Sequence, residues 1–60
     1  MDKALFISQT GAWAAAERVA AQRGFDTMKC KVHALYKRGA LHGYEAWVDC
    51  RPVYEEELTA

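Results

Sequence analysis

The feature that most constrains this fold is a two-residue period in the segment 27–37, which returns in the segment 44–51. Successive side chains of a β-strand point to opposite faces of a sheet, so this period predicts two strands, each with an apolar face. The predicted apolar faces are Met28, Cys30, Val32, Ala34 and Tyr36 in the first strand and Tyr44, Ala46, Val48 and Cys50 in the second. Gly39 and Gly43 lie in the segment between them, which predicts a turn and therefore an antiparallel hairpin.

Keeping both apolar faces on one side of this hairpin predicts a register in which Cys30 lies opposite Cys50. A shift of one residue would turn the apolar side chains of one strand into water. On the opposite face, the same register predicts the cross-strand pairs Lys31 with Asp49, His33 with Trp47, and Leu35 with Glu45. Lys31 and Asp49 would form an ion pair. Pro52 has no N–H group to donate and is expected to end regular pairing.

A helix is predicted from about Gly11 to Arg23, because this segment is rich in alanine, which has the highest helix propensity. Ser8 or Thr10 can cap its first turn with a side-chain oxygen, and Gly24 can end it in the left-handed conformation. Helical spacing places one set of residues on a common side, namely Ala12, Trp13, Ala16, Val19 and Ala20. Most members of this set are alanine, so we expect Trp13 to be the main anchor of the helix.

A further short strand is predicted over residues 4–8, before the helix, because Leu5, Phe6 and Ile7 are consecutive apolar residues. The order β-α-β-β then predicts an α+β fold, in which one helix packs on one face of a mainly antiparallel three-stranded sheet. A chain of 60 residues makes a single domain. We therefore expect residues 1–60 to fold together, with frayed ends at 1–3 and 55–60.

The charge and hydropathy of the chain limit its location and its partners. Eight basic and eight acidic residues give a formal net charge of zero, so overall charge does not favour nucleic-acid binding. No apolar run is long enough to span a membrane, and the apolar stretch near Met1 is too short for a signal peptide. These features predict a cytoplasmic protein, in which Cys30 and Cys50 are reduced thiols.

The sequence predicts neither a metal site nor a catalytic site. Cys30 and His33 point to opposite faces of their strand, and the chain has no Cys-x-x-Cys pair of the kind that structural zinc sites use. No serine lies in a Gly-x-Ser-x-Gly turn, and Glu45 and Asp49 share an open sheet face that does not exclude water. A core this small also leaves no room for a cofactor cleft. We therefore expect a non-catalytic protein without a cofactor.

The sheet face that the helix leaves uncovered is the predicted functional surface. An exposed tryptophan among side chains of both charge signs is typical of a binding hot spot with a polar rim. The acidic segment near the end of the chain can in addition engage a basic surface that ordinarily holds nucleic acid. The predicted partner-binding residues are Trp47, His33, Leu35, Glu45 and Asp49 on the sheet, and Glu55, Glu56 and Glu57 in the acidic segment.

Two other functions stay open at this point. A small nucleic-acid-binding regulator would use the basic side chains near Trp47, because aromatic residues on a basic sheet stack on single-stranded bases. These basic residues are Lys29, Lys31, Lys37, Arg38 and Arg51. An obligate homodimer would instead bury Trp47 against a second copy. Binding to DNA or RNA predicts a strong dependence on salt, whereas a homodimer predicts twice the monomer mass in solution.

The whole chain resembles the small type I anti-CRISPR proteins that phages and other mobile elements encode. The resemblance rests on layout, with an alanine-rich helix (Gly11 to Arg23), an alternating hairpin (Thr27 to Arg51), no active site and charges clustered by sign. No sequence motif carries it, so no functional residue is transferred. The resemblance implies a stoichiometric inhibitor that acts in the cytoplasm of a bacterial host. Such an inhibitor binds a CRISPR-Cas surveillance complex or its nuclease and blocks DNA targeting.

Overall fold

A computed structural model describes residues 1–59, and these residues form one main helix packed on a three-stranded antiparallel sheet. The elements are α1 (Gln9–Arg23), a 3-10 turn (Thr27–Lys29), β1 (Cys30–Lys37), β2 (Ala40–Val48), β3 (Arg51–Pro52) and α2 (Glu55–Leu58). The strands lie in the order β1-β2-β3, and each pairs antiparallel with its neighbour. The predicted α+β architecture is confirmed.

Both ends of α1 are fixed by local sequence. The hydroxyl oxygen of Ser8 accepts a hydrogen bond from the Gly11 N–H group at 3.0 Å, so Ser8 is the cap and α1 begins two residues before the predicted start. Gly24 has a φ of 83°, in the left-handed region, and its N–H group bonds to the carbonyl oxygen of Ala21. The N–H group of Phe25 donates to the carbonyl oxygen of Ala20, which completes the C-terminal cap predicted for Gly24.

The core between α1 and the sheet is built from small side chains. Its buried members in the described residues are Ala4, Ala12, Ala16, Val19, Ala20, Cys30, Ala46, Val48 and Val53. The prediction that Trp13 anchors the helix within this core was wrong, since Trp13 is 40% exposed. Alanine side chains let the helix lie close to the sheet, which leaves no space beneath it for an indole ring. Trp13 therefore lies at the margin of the buried stripe.

The predicted register of the hairpin was also wrong, by two residues. Cys30 lies opposite Val48, not Cys50, and a two-residue shift leaves the alternation of side chains within the paired strands unchanged. The pairs on the other face change accordingly to Lys31 with Trp47, His33 with Glu45, and Leu35 with Gly43. Within residues 1–59 the predicted Lys31–Asp49 ion pair does not form.

A short turn and a bulge together set this register. Arg38 and Gly39, with φ values of 53° and 79°, form a two-residue turn that places Lys37 opposite Ala40. This turn alone would pair apolar positions of β1 with polar positions of β2. The register shifts by one residue between Leu35 and Tyr36, where β2 contains His42 as an extra residue. Beyond this bulge, the apolar faces of both strands coincide.

A second tight turn separates β2 from β3. Asp49 and Cys50 both have positive φ, at 49° and 66°, and connect the paired residues Val48 and Arg51. The second predicted strand therefore ends at Val48, and Cys50 is exposed in the turn. Pro52 is the last residue of β3, in agreement with its expected role as the end of regular pairing.

The segment predicted as a first strand forms isolated bridges in place of a continuous strand. Phe6 pairs with Tyr44 through hydrogen bonds of 2.9 and 2.8 Å, and Lys3 pairs with Tyr54. The N–H group of Ala4 also donates to the carbonyl oxygen of Val53 at 2.9 Å. The third strand of the sheet is accordingly β3, and the N-terminal segment lies along the same side of β2.

The acidic segment is helical rather than frayed over Glu55–Leu58, which form α2. Arg18 donates a hydrogen bond from Nη2 to the carbonyl oxygen of Leu58 at 2.8 Å, and Arg23 donates from Nε to Glu57 Oε2 at 2.7 Å. These contacts hold α2 beside α1, on the helical side of the sheet. The rest of that prediction, at residue 60, lies outside the described residues.

Candidate interaction surface

The candidate site is the outer face, meaning the sheet face opposite α1, with Lys31, His33, Leu35, Glu45 and Trp47. These side chains lie on one face because they occupy alternate positions of two paired strands. An open depression of about 760 Å³ lies there. Its lining residues are Met28, Lys29, Lys31, His33, Ala34, Leu35, Glu45, Trp47, Asp49 and Cys50.

Trp47 is the central side chain of the outer face, and three neighbours fix its orientation. Its indole Nε1–H group donates to Glu45 Oε1 at 3.3 Å. The His33 ring meets it edge to face, with 5.6 Å between ring centroids and 74° between ring planes. The Lys3 ammonium lies 5.5 Å from the ring centroid, within the range of a cation–π contact. Trp47 is therefore partly buried and held in one orientation.

Glu45 connects the polar groups of this surface. One carboxylate oxygen accepts from Trp47, and the other lies 3.7 Å from the Lys3 ammonium. The Lys3 side chain is 52% exposed and the Glu45 side chain is 15% exposed, so water screens the pair at its Lys3 end and the ion pair itself is worth about 1 kcal/mol or less.

Gly43 lets the N-terminal segment reach this surface. A Cβ atom at residue 43 would lie 2.9 Å from Leu5 Cδ1 and 3.0 Å from the carbonyl oxygen of Phe6. The N-terminal segment thus lies against β2 at a distance that only glycine permits. The same segment carries Lys3, which lies over Trp47.

The turn at Asp49 and Cys50 forms one rim of the depression. Both residues have positive φ, and aspartate is a usual residue at the first position of such turns because it tolerates this conformation. Glycine is usual at the second position, where Cys50 costs about 1 kcal/mol of backbone strain. The chain therefore presents the Cys50 side chain at the rim in spite of the strain.

The structure brings together most of the predicted site residues. Trp47, His33, Leu35 and Glu45 share the outer face, and Asp49 lies at its rim. Glu55, Glu56 and Glu57 lie apart from them, because α2 is held on the helical side of the sheet. Glu57 is occupied by its bonds with Arg23 and with the Tyr54 N–H group, whereas Glu55 and Glu56 are exposed.

Four residues of this surface were missed from the sequence, namely Lys3, Met28, Ala34 and Cys50. The partner of the N-terminal segment was not predicted, so nothing placed Lys3 near Trp47. Ala34 was predicted on the apolar face but lines the depression. Cys50 was predicted in a strand and in the core, because the turn at Asp49 and Cys50 carries no glycine. Met28 was assigned to the apolar face, but it lies in the 3-10 turn before β1 and is 86% exposed.

The two cysteines have different environments. Cys30 is buried in the core, and burial raises the pKa of its thiol, with smaller contributions from Glu17 and Asp26. Cys50 is exposed at the rim of the depression. Across residues 1–59, no three His, Cys, Asp or Glu side chains are arranged to hold a metal ion.

No helix within the described part of the chain is long and apolar enough to cross a membrane. In comparisons with known proteins, no family model, no curated protein and no solved structure matches this chain.

Proposed function

We propose that this protein is a non-catalytic inhibitor that binds another protein, or a ribonucleoprotein complex, through its outer face. The observation that carries this proposal is the fixed orientation of a partly exposed Trp47. Glu45, His33 and Lys3 contact the indole, and Trp47 also lines the depression. An aromatic side chain that is ordered before binding loses little entropy on contact with a partner, and tryptophan is enriched in binding hot spots.

The distribution of large apolar side chains supports this proposal. The largest fully buried side chains in the described residues are valines, whereas Met28 is 86% exposed. Met28 lines the same depression as Trp47. Methionine adapts its shape to an opposing surface, so Met28 and Trp47 together offer an adaptable contact beside a rigid one.

The strained turn at Cys50 also favours the outer face as the binding surface. Cys50 keeps its side chain at the rim although glycine would relieve the backbone at this position. Strain of this kind is concentrated at functional sites. We expect Cys50→Gly to raise the free energy of unfolding and to weaken partner binding. If this variant binds the partner with unchanged affinity, the Cys50 side chain is not part of the interface.

The class of partner comes from the resemblance to type I anti-CRISPR proteins. We propose a CRISPR-Cas surveillance complex, or its nuclease, in the cytoplasm of a bacterial host. The protein would bind this complex stoichiometrically and block DNA targeting. Exposed Glu55 and Glu56 lie on the other side of the sheet and can make a second contact with a basic surface of a large complex.

The test is calorimetry of the purified protein against purified type I surveillance complexes and their nuclease. Trp47→Ala should weaken binding by about 30-fold or more, which corresponds to a hot-spot loss of roughly 2 kcal/mol. Tyr36→Ala is the matched control, because Tyr36 is an exposed aromatic residue on the opposite face. Equal losses in both variants, or no loss in Trp47→Ala, would contradict the assignment of the outer face.

Two further measurements decide between this proposal and the functions that the sequence left open. Sedimentation equilibrium would reveal a homodimer as twice the monomer mass. Electrophoretic shifts with single- and double-stranded nucleic acid at about 0.15 M salt would reveal direct binding, and charge reversal of Lys29, Lys31 and Lys37 would abolish it. The proposed inhibitor is a monomer or a homodimer, so dimer mass alone does not contradict it. Direct nucleic-acid binding, or a homodimer that Trp47→Ala dissociates, would replace the inhibitor proposal.

A further inference from the structure

We infer that the unpaired edge of β1 is a second binding site, which accepts an extended acidic segment of a partner protein as an added strand. β1 (Cys30–Lys37) lies at the end of the strand order and pairs only with β2 among the described residues. This inference goes beyond the proposed function. It uses the side of β1 rather than the outer face, and it stands even if Trp47 plays no part in binding.

The hydrogen-bonding groups that face this edge can be identified from one bond. The N–H group of Asp49 donates to the carbonyl oxygen of Lys29 at 2.9 Å across the hairpin. Backbone groups of successive residues in an antiparallel ladder alternate between the two sides of a strand. The groups of Lys31 and His33 are therefore directed to β2, and those of Val32 and Ala34 are directed away from it.

Val32 and Ala34 thus present two N–H and two carbonyl groups at strand spacing. Within residues 1–59, no backbone bond joins them to a further element on that side. Such an edge is a template for pairing with another extended chain. An added strand would satisfy these groups and extend the sheet by one strand.

The positive charge along this edge favours an acidic partner strand. Lys31 and Lys37 lie on β1, Lys29 precedes it and Arg38 follows it, while residues 30–37 contain no acidic side chain. All four cations are exposed, and none of them belongs to either ion pair of the described residues, Lys3–Glu45 and Arg23–Glu57. A strand with glutamate or aspartate at alternate positions complements this row of charges.

The same charges disfavour a second copy of this chain. If two β1 strands paired antiparallel about Ala34, Lys31 would lie opposite Lys37. If they paired about His33, Lys29 would lie opposite Lys37. Like charges directly opposite are destabilising, and lysine on edge strands is a known device against self-pairing. A nucleic acid would match the charge but would leave the backbone groups of Val32 and Ala34 unpaired.

The probe for this inference is an N-acetylated, C-amidated nonapeptide of alternating glutamate and valine, titrated into the full-length protein and followed by amide NMR. Bound peptide should slow hydrogen exchange at the N–H groups of Val32 and Ala34. The N–H group of His33, which faces β2, should be protected with or without peptide. Lys31→Glu should weaken binding by about tenfold or more, and Arg51→Glu, an equal charge change on β3, by less than about twofold.

Ala34→Pro provides an independent variant, because it removes an N–H group from the unpaired edge and leaves the ladder with β2 intact. It should abolish the protection at residue 32. Equal affinity for a lysine–valine peptide, no binding of either peptide, or shifts confined to Trp47 and its neighbours would each overturn the inference. Binding of a thymidine oligonucleotide that Lys31→Glu abolishes, without binding of the acidic peptide, would overturn it in favour of nucleic acid.

Discussion

The guanidinium group of Arg23 donates to the Glu57 carboxylate from Nε at 2.7 Å and to the carbonyl oxygen of Pro52 from Nη2 at 2.8 Å. A single side chain at the end of α1 thereby joins α2 and β3. The Arg23 side chain is 12% exposed, and the Glu57 side chain is 25% exposed. Both partners of this pair are therefore partly shielded from water, whereas in the pair of Lys3 and Glu45 the cation is 52% exposed and only the carboxylate is shielded.

This contact predicts a dependence of stability on pH. The hydrogen bond from Arg23 lowers the pKa of Glu57 below its ordinary value of 4.5. Stability from a lowered carboxylate pKa is fully present above pH 4.5 and is lost as the pH falls through the lowered pKa. We expect Glu57→Gln to cost about 1–2 kcal/mol at pH 7 and to flatten the fall in stability below pH 4.5. Urea denaturation at several pH values measures both effects.

Arg23→Lys is the matched variant for this prediction. It keeps the charge but cannot donate to Glu57 and to Pro52 in the same planar geometry. The stability that Arg23→Lys loses at pH 7 should resemble the stability that Glu57→Gln loses. If both variants unfold like the parent protein at pH 7 and at pH 3, the pair contributes nothing to stability.

A second prediction concerns Gly43. An added Cβ would meet the flexible Leu5 side chain and also the Phe6 carbonyl oxygen, which is fixed by the Tyr44 N–H group at 2.8 Å. Gly43→Ala should therefore destabilise the protein by about 1–3 kcal/mol, as overpacking does. It should also move Lys3 away from Trp47, which fluorescence of Trp47 in a Trp13→Phe background would report.

The double variant of Gly43→Ala with Leu5→Ala separates the two contacts. Removing the Leu5 side chain relieves one clash and leaves the backbone clash in place. Gly43→Ala should therefore cost less stability in the Leu5→Ala background than in the parent protein, but the cost should not vanish. If Gly43→Ala costs no stability in the Leu5→Ala background, the Phe6 backbone can move and Gly43 is not required for the approach of the N-terminal segment.

The turn between β1 and β2 gives a third prediction, with the opposite sign. Arg38 has a φ of 53° at the first turn position, where asparagine is strongly preferred. Arg38→Asn should stabilise the protein by about 0.5–1 kcal/mol, because asparagine tolerates the left-handed conformation. Thermal unfolding measures this gain. Arg38→Val serves as the control and should destabilise the protein, since a β-branched residue is strained at positive φ.

The hairpin illustrates what the sequence can and cannot predict. Alternation determines which side chains share a face, and that part of the prediction was correct for Val32, Ala46 and Trp47. Alternation cannot distinguish registers that differ by two residues. The observed register depends on a turn at Arg38 and a bulge at His42, and neither position carries a residue that signals its backbone conformation.

The candidate site was predictable to a similar extent. The outer face followed from the strand period, so Trp47, His33, Leu35 and Glu45 were identified together. Lys3 was missed because its position depends on the close approach of two segments that are 40 residues apart in the chain (Lys3 and Gly43). Tertiary contacts of this kind leave no periodic signal in the sequence.

The last prediction concerns how Glu45 positions Trp47. Glu45 Oε1 accepts from the indole at 3.3 Å, and Glu45 Oε2 lies 3.7 Å from Lys3. Glu45→Gln retains an acceptor for the indole but removes the attraction for Lys3, whereas Glu45→Ala removes both.

If orientation of the indole matters for binding, Glu45→Ala should weaken the affinity for a partner that contacts Trp47 by about fivefold or more, and Glu45→Gln should weaken it by less. Glu45→Gln should unfold within about 1 kcal/mol of the parent protein, because the Lys3 partner is 52% exposed. Glu45→Ala should cost more stability, because it also truncates a side chain that is only 15% exposed. Calorimetry against that partner, with Trp47→Ala as the reference for complete loss, gives the comparison. Equal affinity of the Glu45→Ala variant and the parent protein would show that the indole needs no support from Glu45.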